Sequence, residues 1–211
     1  MIEQILPQGV RVAEAYADAD AVLPAVEAAA VARAVPSRRR EFATTRALAR
    51  QALAELGRPV AAIPSGPRGE PRWPEGVIGS LTHCAGYRAA AVALRGGLLS
   101  LGIDAEPDAP LPDGVLAAVT GPAERAAVAA GPPHADRILF SAKESVFKAW
   151  YPLAGAMLDF TEAHLDLDPA GGFTAHLLVP GPVVAGRRLA RLHGRWRRAG
   201  GLILTAAAVH A

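Results

Sequence analysis

The chain has 211 residues, 51% of them hydrophobic and 20% charged, with a formal net charge of +2. That balance excludes a disordered chain, the single cysteine (Cys84) excludes a disulfide scaffold, and no run approaches the roughly 18 consecutive apolar residues of a membrane-spanning helix. The length allows one large domain or two small ones, and residues 1–10 lack a basic region leading into an apolar stretch, so a cytoplasmic protein with no membrane partner is expected.

In chain order, residues 10–16 alternate weakly and predict a strand. Residues 25–34 read as a short helix. Ser37 reads as the N-cap of a second helix running to about Leu56, where Gly57 and Pro59 stop it. Residues 64–74 form a loop by their Gly and Pro content. Three extended segments follow, 77–81, 88–94 and 98–104, with hairpin turns expected at Gly86 and at Gly96 and Gly97. Residues 115–130 and 134–151 read as helices, separated by Gly131, Pro132 and Pro133. The tail returns to strands at about 164–167, 173–179, 187–196 and 202–209. Helices, strands, helices, strands: this order predicts an α+β fold of two halves, residues 1–107 and 108–211, rather than one parallel α/β sheet.

Arginine dominates the basic residues, 20 against two lysines. Both lysines, Lys143 and Lys148, fall in the stretch SAKESVFKAW that ends at Trp150. Lysine is a compact ammonium that can lose its proton when desolvated, whereas arginine stays charged, so these sites either need a lysine or cluster by chance. The surrounding helix is apolar around nearly its whole circumference and is therefore expected to be buried. Its charges Lys143, Glu144 and Lys148 either form a helix-stabilising i, i+4 pair (Glu144 with Lys148) or face a cleft, a metal or a charged ligand.

Asp104 and Glu106 stand two apart at the end of an apolar strand and so project to one side. They are either solvated acids at a strand exit or hard oxygen ligands of the kind Mg²⁺ takes while bridging to phosphates. Arg38 lies on the apolar stripe of the second helix at its N-terminal end and Arg46 flanks it, where a phosphate could collect bidentate contacts. The alternative is a solvated basic helix start. Thr82 and His83 end a strand with a hydroxyl and an imidazole, while Cys84 reads as a small buried filler. Six C-terminal arginines (Arg187, Arg188, Arg191, Arg195, Arg197 and Arg198) read as a solvated face that also permits an acidic partner or nucleic acid.

Taken together, GIDAE (102–106) and FSAKESVFKAW (140–150) resemble the paired signature of the 4′-phosphopantetheinyl transferase superfamily, in its larger, monomeric type. RRREFATTR (38–46), GEPRWP (69–74) and GSLTHCAGY (79–87) extend the likeness toward the surfactin-synthetase-activating and enterobactin-type branch. The resemblance implies a pseudo-dimer of two similar α+β halves with the active site in the cleft between them. It implies transfer of the phosphopantetheine arm of coenzyme A to a serine of an acyl or peptidyl carrier protein, with adenosine 3′,5′-bisphosphate released. Asp104, Glu106 and Glu144 would hold Mg²⁺ (or Mn²⁺). Arg38, Arg46, Arg68, Thr82, His83, Lys143 and Lys148 would hold the coenzyme. Glu144 would act as general base and Lys148 would stabilise or protonate the leaving phosphate. Ser65 stands where some members of this branch carry a basic residue, and Arg68 is the expected substitute. Nonribosomal peptide, polyketide and siderophore assembly lines supply the implied carrier partners, and nucleic acid is not among them. The residues also admit two competing functions: another Mg²⁺-dependent phosphoryl or nucleotidyl enzyme, and a non-enzymatic basic module.

Overall fold

Two antiparallel sheets, each backed by one 20-residue helix, account for most of the chain. The computed structural model describes residues 1–59 and 62–211. The first sheet is built from β1 (Arg11–Ala15), β2 (Val77–Cys84) and β3 (Tyr87–Leu94) in the order β1-β3-β2. The second takes β4 (Leu98–Pro107), β5 (Ala163–Asp168), β6 (Gly172–Leu177), β9 (Arg191–Ala199) and β10 (Leu202–His210) in the order β4-β10-β9-β6-β5. A small ribbon of β7 (Val183–Val184) and β8 (Arg187–Arg188) stands apart. The helices are α1 (Ala25–Ala30), α2 (Pro36–Glu55), α3 (Val115–Val119), α4 (Pro122–Ala129) and α5 (Ala135–Ala154). Among the described residues no helix is long and apolar enough to cross a membrane.

The layers follow from which face each residue presents. Ala89, Ala91 and Ala93 of β3 pack with Leu101, Ile103 and Ala105 of β4 and with Leu204 and Ala206 of β10. On the opposite face of β3, Ala90 and Val92 meet Leu48, Ala49, Ala52 and Leu53 of α2. Alanine is a poor strand former on propensity, but β3 is buried on both faces, and small side chains let both layers approach closely. Helix α5 covers the far face of the second sheet through Leu139, Ala142, Val146 and Ala149, which meet Leu165, Phe173 and Leu192. The result is a helix, sheet, sheet, helix stack in which each half repeats the same plan.

Several expected boundaries change for identifiable reasons. Gly96 and Gly97 do not make a hairpin: β4 leaves the first sheet and pairs with β10, from Pro107 opposite Leu202 to Leu98 opposite His210. The strand counted with residues 1–107 is thus the edge of the second sheet. Residues 115–130 are two helices, because Gly121 is extended ahead of Pro122, which lacks an N–H and disfavours a helical residue before it. Ser37 is not a cap; Val35 precedes the helix and Pro36 occupies its first turn, where a missing N–H costs nothing.

The sheets meet where β2 runs beside β4. There Ser80 accepts a hydrogen bond from the Ile103 N–H and Thr82 from the Ala105 N–H, both at 3.0 Å. Two hydroxyls spaced two residues apart thus satisfy donors on a strand edge that has no backbone partner on that side.

Candidate functional site

Glycine at position 102 decides how the site is assembled. A Cβ there would lie 1.9 Å from the Ser145 carbonyl oxygen and 2.6 Å from the Ala149 nitrogen. Helix α5 therefore lies directly on β4, backbone against backbone, and Ser100 donates to the Ala149 carbonyl at 2.6 Å to fix the register. The contact aims one face of α5, carrying Arg137, Ser141, Glu144 and Lys148 at helical spacing, at the carboxylates of β4.

Asp104 is buried and fully engaged. Its Oδ1 accepts from Lys148 Nζ at 2.7 Å and from Thr82 at 3.3 Å, and its Oδ2 accepts from Ser141 at 2.8 Å. Lys148 also donates to the Ile103 carbonyl at 3.1 Å, which leaves one ammonium proton for the cleft it lines. Glu106 accepts from Arg137 at 2.7 Å. Burial and the Asp104 charge raise the Glu106 carboxyl above its ordinary value, against the pull of Arg137. Glu144 is half-buried and makes no hydrogen bond among the described residues. Burial raises its carboxyl, Lys148 opposes that, and Asp104 and Glu106 add to it. Of the two readings of these charges, the Glu144–Lys148 pair does not form: the ammonium goes to Asp104 instead.

The three carboxylates are thus close enough to perturb one another. They are not a finished cage, for no three His, Cys, Asp or Glu side chains among the described residues are gathered tightly enough to hold an ion. As chemistry the set fits a hard divalent cation: oxygen donors only, mutual repulsion, and Glu144 unspent. As geometry, Lys148 now neutralises Asp104 and Arg137 neutralises Glu106.

Beside these acids opens a cleft of about 610 Å³ between the halves. Helix α2 contributes Arg38, Phe42 and Arg46, the 64–74 loop Arg68, Glu70 and Trp73, β2 Thr82 and His83, and α5 Phe147, Lys148 and Tyr151. Four cationic side chains face a single acid, Glu70. Arg46 is 2% exposed, its guanidinium 4.5 Å above the Phe42 ring, and it donates to Ser65 at 3.1 Å. Its Nε is the one buried side-chain nitrogen or oxygen with no partner among the described residues. Burial lowers Arg46 to about 10, with Arg50 and Arg38 pushing the same way against Glu27. Arg38 contacts the His83 Nε2, and the other ring nitrogen of His83 lies 3.6 Å from Glu41. Burial and then Arg38 lower the His83 imidazole, which favours its neutral form.

The cleft therefore gathers Arg38, Arg46, Arg68, Thr82, His83 and Lys148, although the Thr82 hydroxyl is committed to the sheet junction. Lys143 is a correction. It is 3% exposed, points away from the cleft, and pairs with both Glu124 oxygens at 2.9 Å. Its ammonium also donates to the Phe160 and Ala163 carbonyls. Glu124 in turn accepts from the Gly121 and Leu165 N–H groups, so the pair ties α4, α5 and β5 together. Five residues of helix turn Lys143 about 140° away from Lys148, but with apolar residues around nearly the whole circumference no single buried face marked which lysine met the cleft. Cys84 is pushed up to about 12 by burial and by Glu106 and Asp104, so its thiol is a poor nucleophile. Arg137 and Ser141 were not singled out from the sequence; their spacing from Glu144 and Lys148 was the available signal.

Two family models match the chain, the 4′-phosphopantetheinyl transferase N-terminal domain over residues 26–93 and the 4′-phosphopantetheinyl transferase superfamily over residues 100–197. Their division falls before β4, in accord with its place in the second sheet. The chain is 58% identical to the 4′-phosphopantetheinyl transferase Svp of Streptomyces mobaraensis, covering 100% of this chain and 90% of that protein. It is 49% identical to the transferase Npt of Nocardia iowensis (99% of each chain) and 45% identical to PptT of Mycobacterium tuberculosis (98% and 96%).

Proposed function

Since this chain belongs to the 4′-phosphopantetheinyl transferase superfamily, we propose that its cleft binds coenzyme A and that the acids of β4 and α5 carry out the transfer to a carrier-protein serine. The observation that carries the reading is Arg46. A buried guanidinium with an unused donor, in a cleft where cations outnumber acids, calls for an anionic ligand. A coenzyme carrying a 3′-phosphate and a pyrophosphate meets that demand. Arg38, Arg46, Arg68 and His83 are assigned to phosphate oxygens, Phe42, Trp73, Phe147 and Tyr151 to its apolar parts, and Lys148 to the pyrophosphate.

Asp104, Glu106 and Glu144 are the assigned holders of Mg²⁺, which when bound neutralises and orients the pyrophosphate. In the reaction the carrier serine oxygen attacks the β-phosphorus of coenzyme A and the bond from that phosphorus to adenosine 3′,5′-bisphosphate breaks. Glu144 takes the serine proton, directly or through a water. Lys148 directs its remaining proton to the leaving phosphate, and positioning and charge compensation are most of what phosphoryl transfer requires. The lone half-buried thiol fits a cytosolic enzyme, and we assign it a monomeric state.

The test is mass spectrometry of a purified carrier protein incubated with this chain, Mg²⁺ and coenzyme A. We expect addition of the phosphopantetheine arm, lost with a chelator. No addition with any carrier offered would refute transfer, and addition undiminished by chelation would refute the role of the ion.

A further inference from the structure

Glu106 sits where β4 runs out: the last residue paired to β10 is Pro107, and the chain then leaves the sheet. This exit is held by Arg198 of β9, which donates to Asp108 at 2.8 Å, and by the start of α5. Asp108 contacts His134 Nδ1 at 2.8 Å, and the Leu111 N–H donates to Asp136 at 2.8 Å. Arg137 makes the central contacts. Its Nη1 donates to Glu106 Oε2 at 2.7 Å, its Nε to the Ala109 carbonyl at 3.1 Å and its Nη2 to the Pro110 carbonyl at 2.6 Å. All three nitrogens of the fork are used, on three acceptors lying in different directions. A lysine has one nitrogen and cannot span them.

The fork takes only one oxygen of Glu106. Among the described residues Oε1 has no hydrogen-bond donor, and it is the oxygen left to meet a ligand. Arg137 also lies one turn before Ser141, which holds Asp104 Oδ2, although there Lys148 and Thr82 take the other oxygen. The helix face that bears Glu144 thus supports both strand carboxylates from behind.

We propose that Arg137 is the positioning residue for Glu106, holding one carboxylate oxygen so that the other is presented to the divalent cation. The proposal rests on the metal assignment of the proposed function. Partners of this kind typically change metal affinity or activity 10–100-fold when removed.

The experiment measures Mn²⁺ binding to the full chain by electron paramagnetic resonance, without coenzyme A, for the parent, Arg137→Lys, Arg137→Gln and Asp136→Ala. Thermal unfolding checks that each is folded. Asp136→Ala releases the Leu111 tether of the same segment without touching Glu106. We expect both Arg137 variants to bind Mn²⁺ roughly tenfold or more weakly, and Asp136→Ala to stay within about twofold of the parent. In transfer assays, saturating Mn²⁺ should return kcat of Arg137→Lys toward the parent with the KM for coenzyme A unchanged. Undiminished binding in the Arg137 variants overturns the proposal and leaves the site's metal assignment standing. An equal loss in Asp136→Ala overturns it as well, since the arginine would then only order the segment, as would failure of both Arg137 variants to fold. A parent that binds no Mn²⁺ overturns the metal assignment and this proposal together.

Discussion

At Arg46 a single side chain shows the tension between folding and function. Its aliphatic stem and Phe42 stacking are favourable, yet the Nε gains nothing in the folded chain and has lost its water. Ser65 is its one hydrogen-bond partner among the described residues, and a second cation at 65 would have crowded it. Arg46→Lys keeps the charge and loses the planar fork, so coenzyme A should bind about tenfold more weakly, or about 1.4 kcal/mol. Calorimetric titration against 3′-dephospho coenzyme A provides the control; equal losses for both ligands would move Arg46 away from the 3′-phosphate. A second residue-scale case is Glu14, which accepts from the Met1 amino group, the Ile2 N–H and the Tyr87 hydroxyl. Burial alone would raise its carboxyl, but these donors hold it below the usual range. A depressed carboxyl stabilises the fold above its unfolded-state value and loses that contribution as the pH falls through its folded value. Glu14→Gln should therefore lower Tm at pH 7, by a few degrees for a loss of about 1–2 kcal/mol. The gap to the parent should narrow as acid takes the pH below the ordinary glutamate range, and a gap independent of pH would show that the ionised form is not what is held.

The element that matters most is α5 on β4. Gly102→Ala places a methyl against the Ser145 carbonyl, so α5 must shift or the strand must bend. Overpacking of this kind costs about 1–3 kcal/mol. Because Ser141, Glu144 and Lys148 ride on the same helix, transfer activity should fall further than the loss of folded protein accounts for; urea unfolding and kcat measured together separate the two. Lys143→Met tests the opposite end of the circumference. Removing one partner of a buried ion pair costs about 3–5 kcal/mol, so stability should drop sharply, while coenzyme A affinity of the folded fraction should match the parent. A selective loss of coenzyme A binding would return Lys143 to the cleft. The sequence announced that this helix is buried and charged, which holds for Lys143 and only in part for Lys148 at the cleft, but an arginine-poor stretch says nothing about which way each ammonium turns. Packing decides that. Glu124, some twenty residues upstream on the helix that Pro122 opens, supplies the counter-charge that draws Lys143 away.

For the molecule as a whole, the two halves, their α+β character and the inter-half cleft were legible from element order and motifs, and Arg38, Arg46, His83 and Lys148, picked out from the sequence, do line one cleft, with Asp104 held against Lys148 beside it. The strand pairings were not. Alternation tells which face of a strand is buried, not which strand lies beside it, so 98–104 read as the third strand of a meander although it belongs with 202–210. Thr82 read as a candidate ligand group for the same reason: only the joining of the two sheets reveals two N–H groups that need its hydroxyl and that of Ser80. The sheet order also governs when the enzyme can come into being on the ribosome. The strand bearing Asp104 finds its neighbour only when β10 emerges, about a hundred residues later, and β10 is also the partner of β9. At translation speeds of about 5–20 residues per second the nascent chain spends several seconds with an open apolar edge. For that time an unpaired strand edge is open to misassociation, before the acids of β4 can be brought against α5.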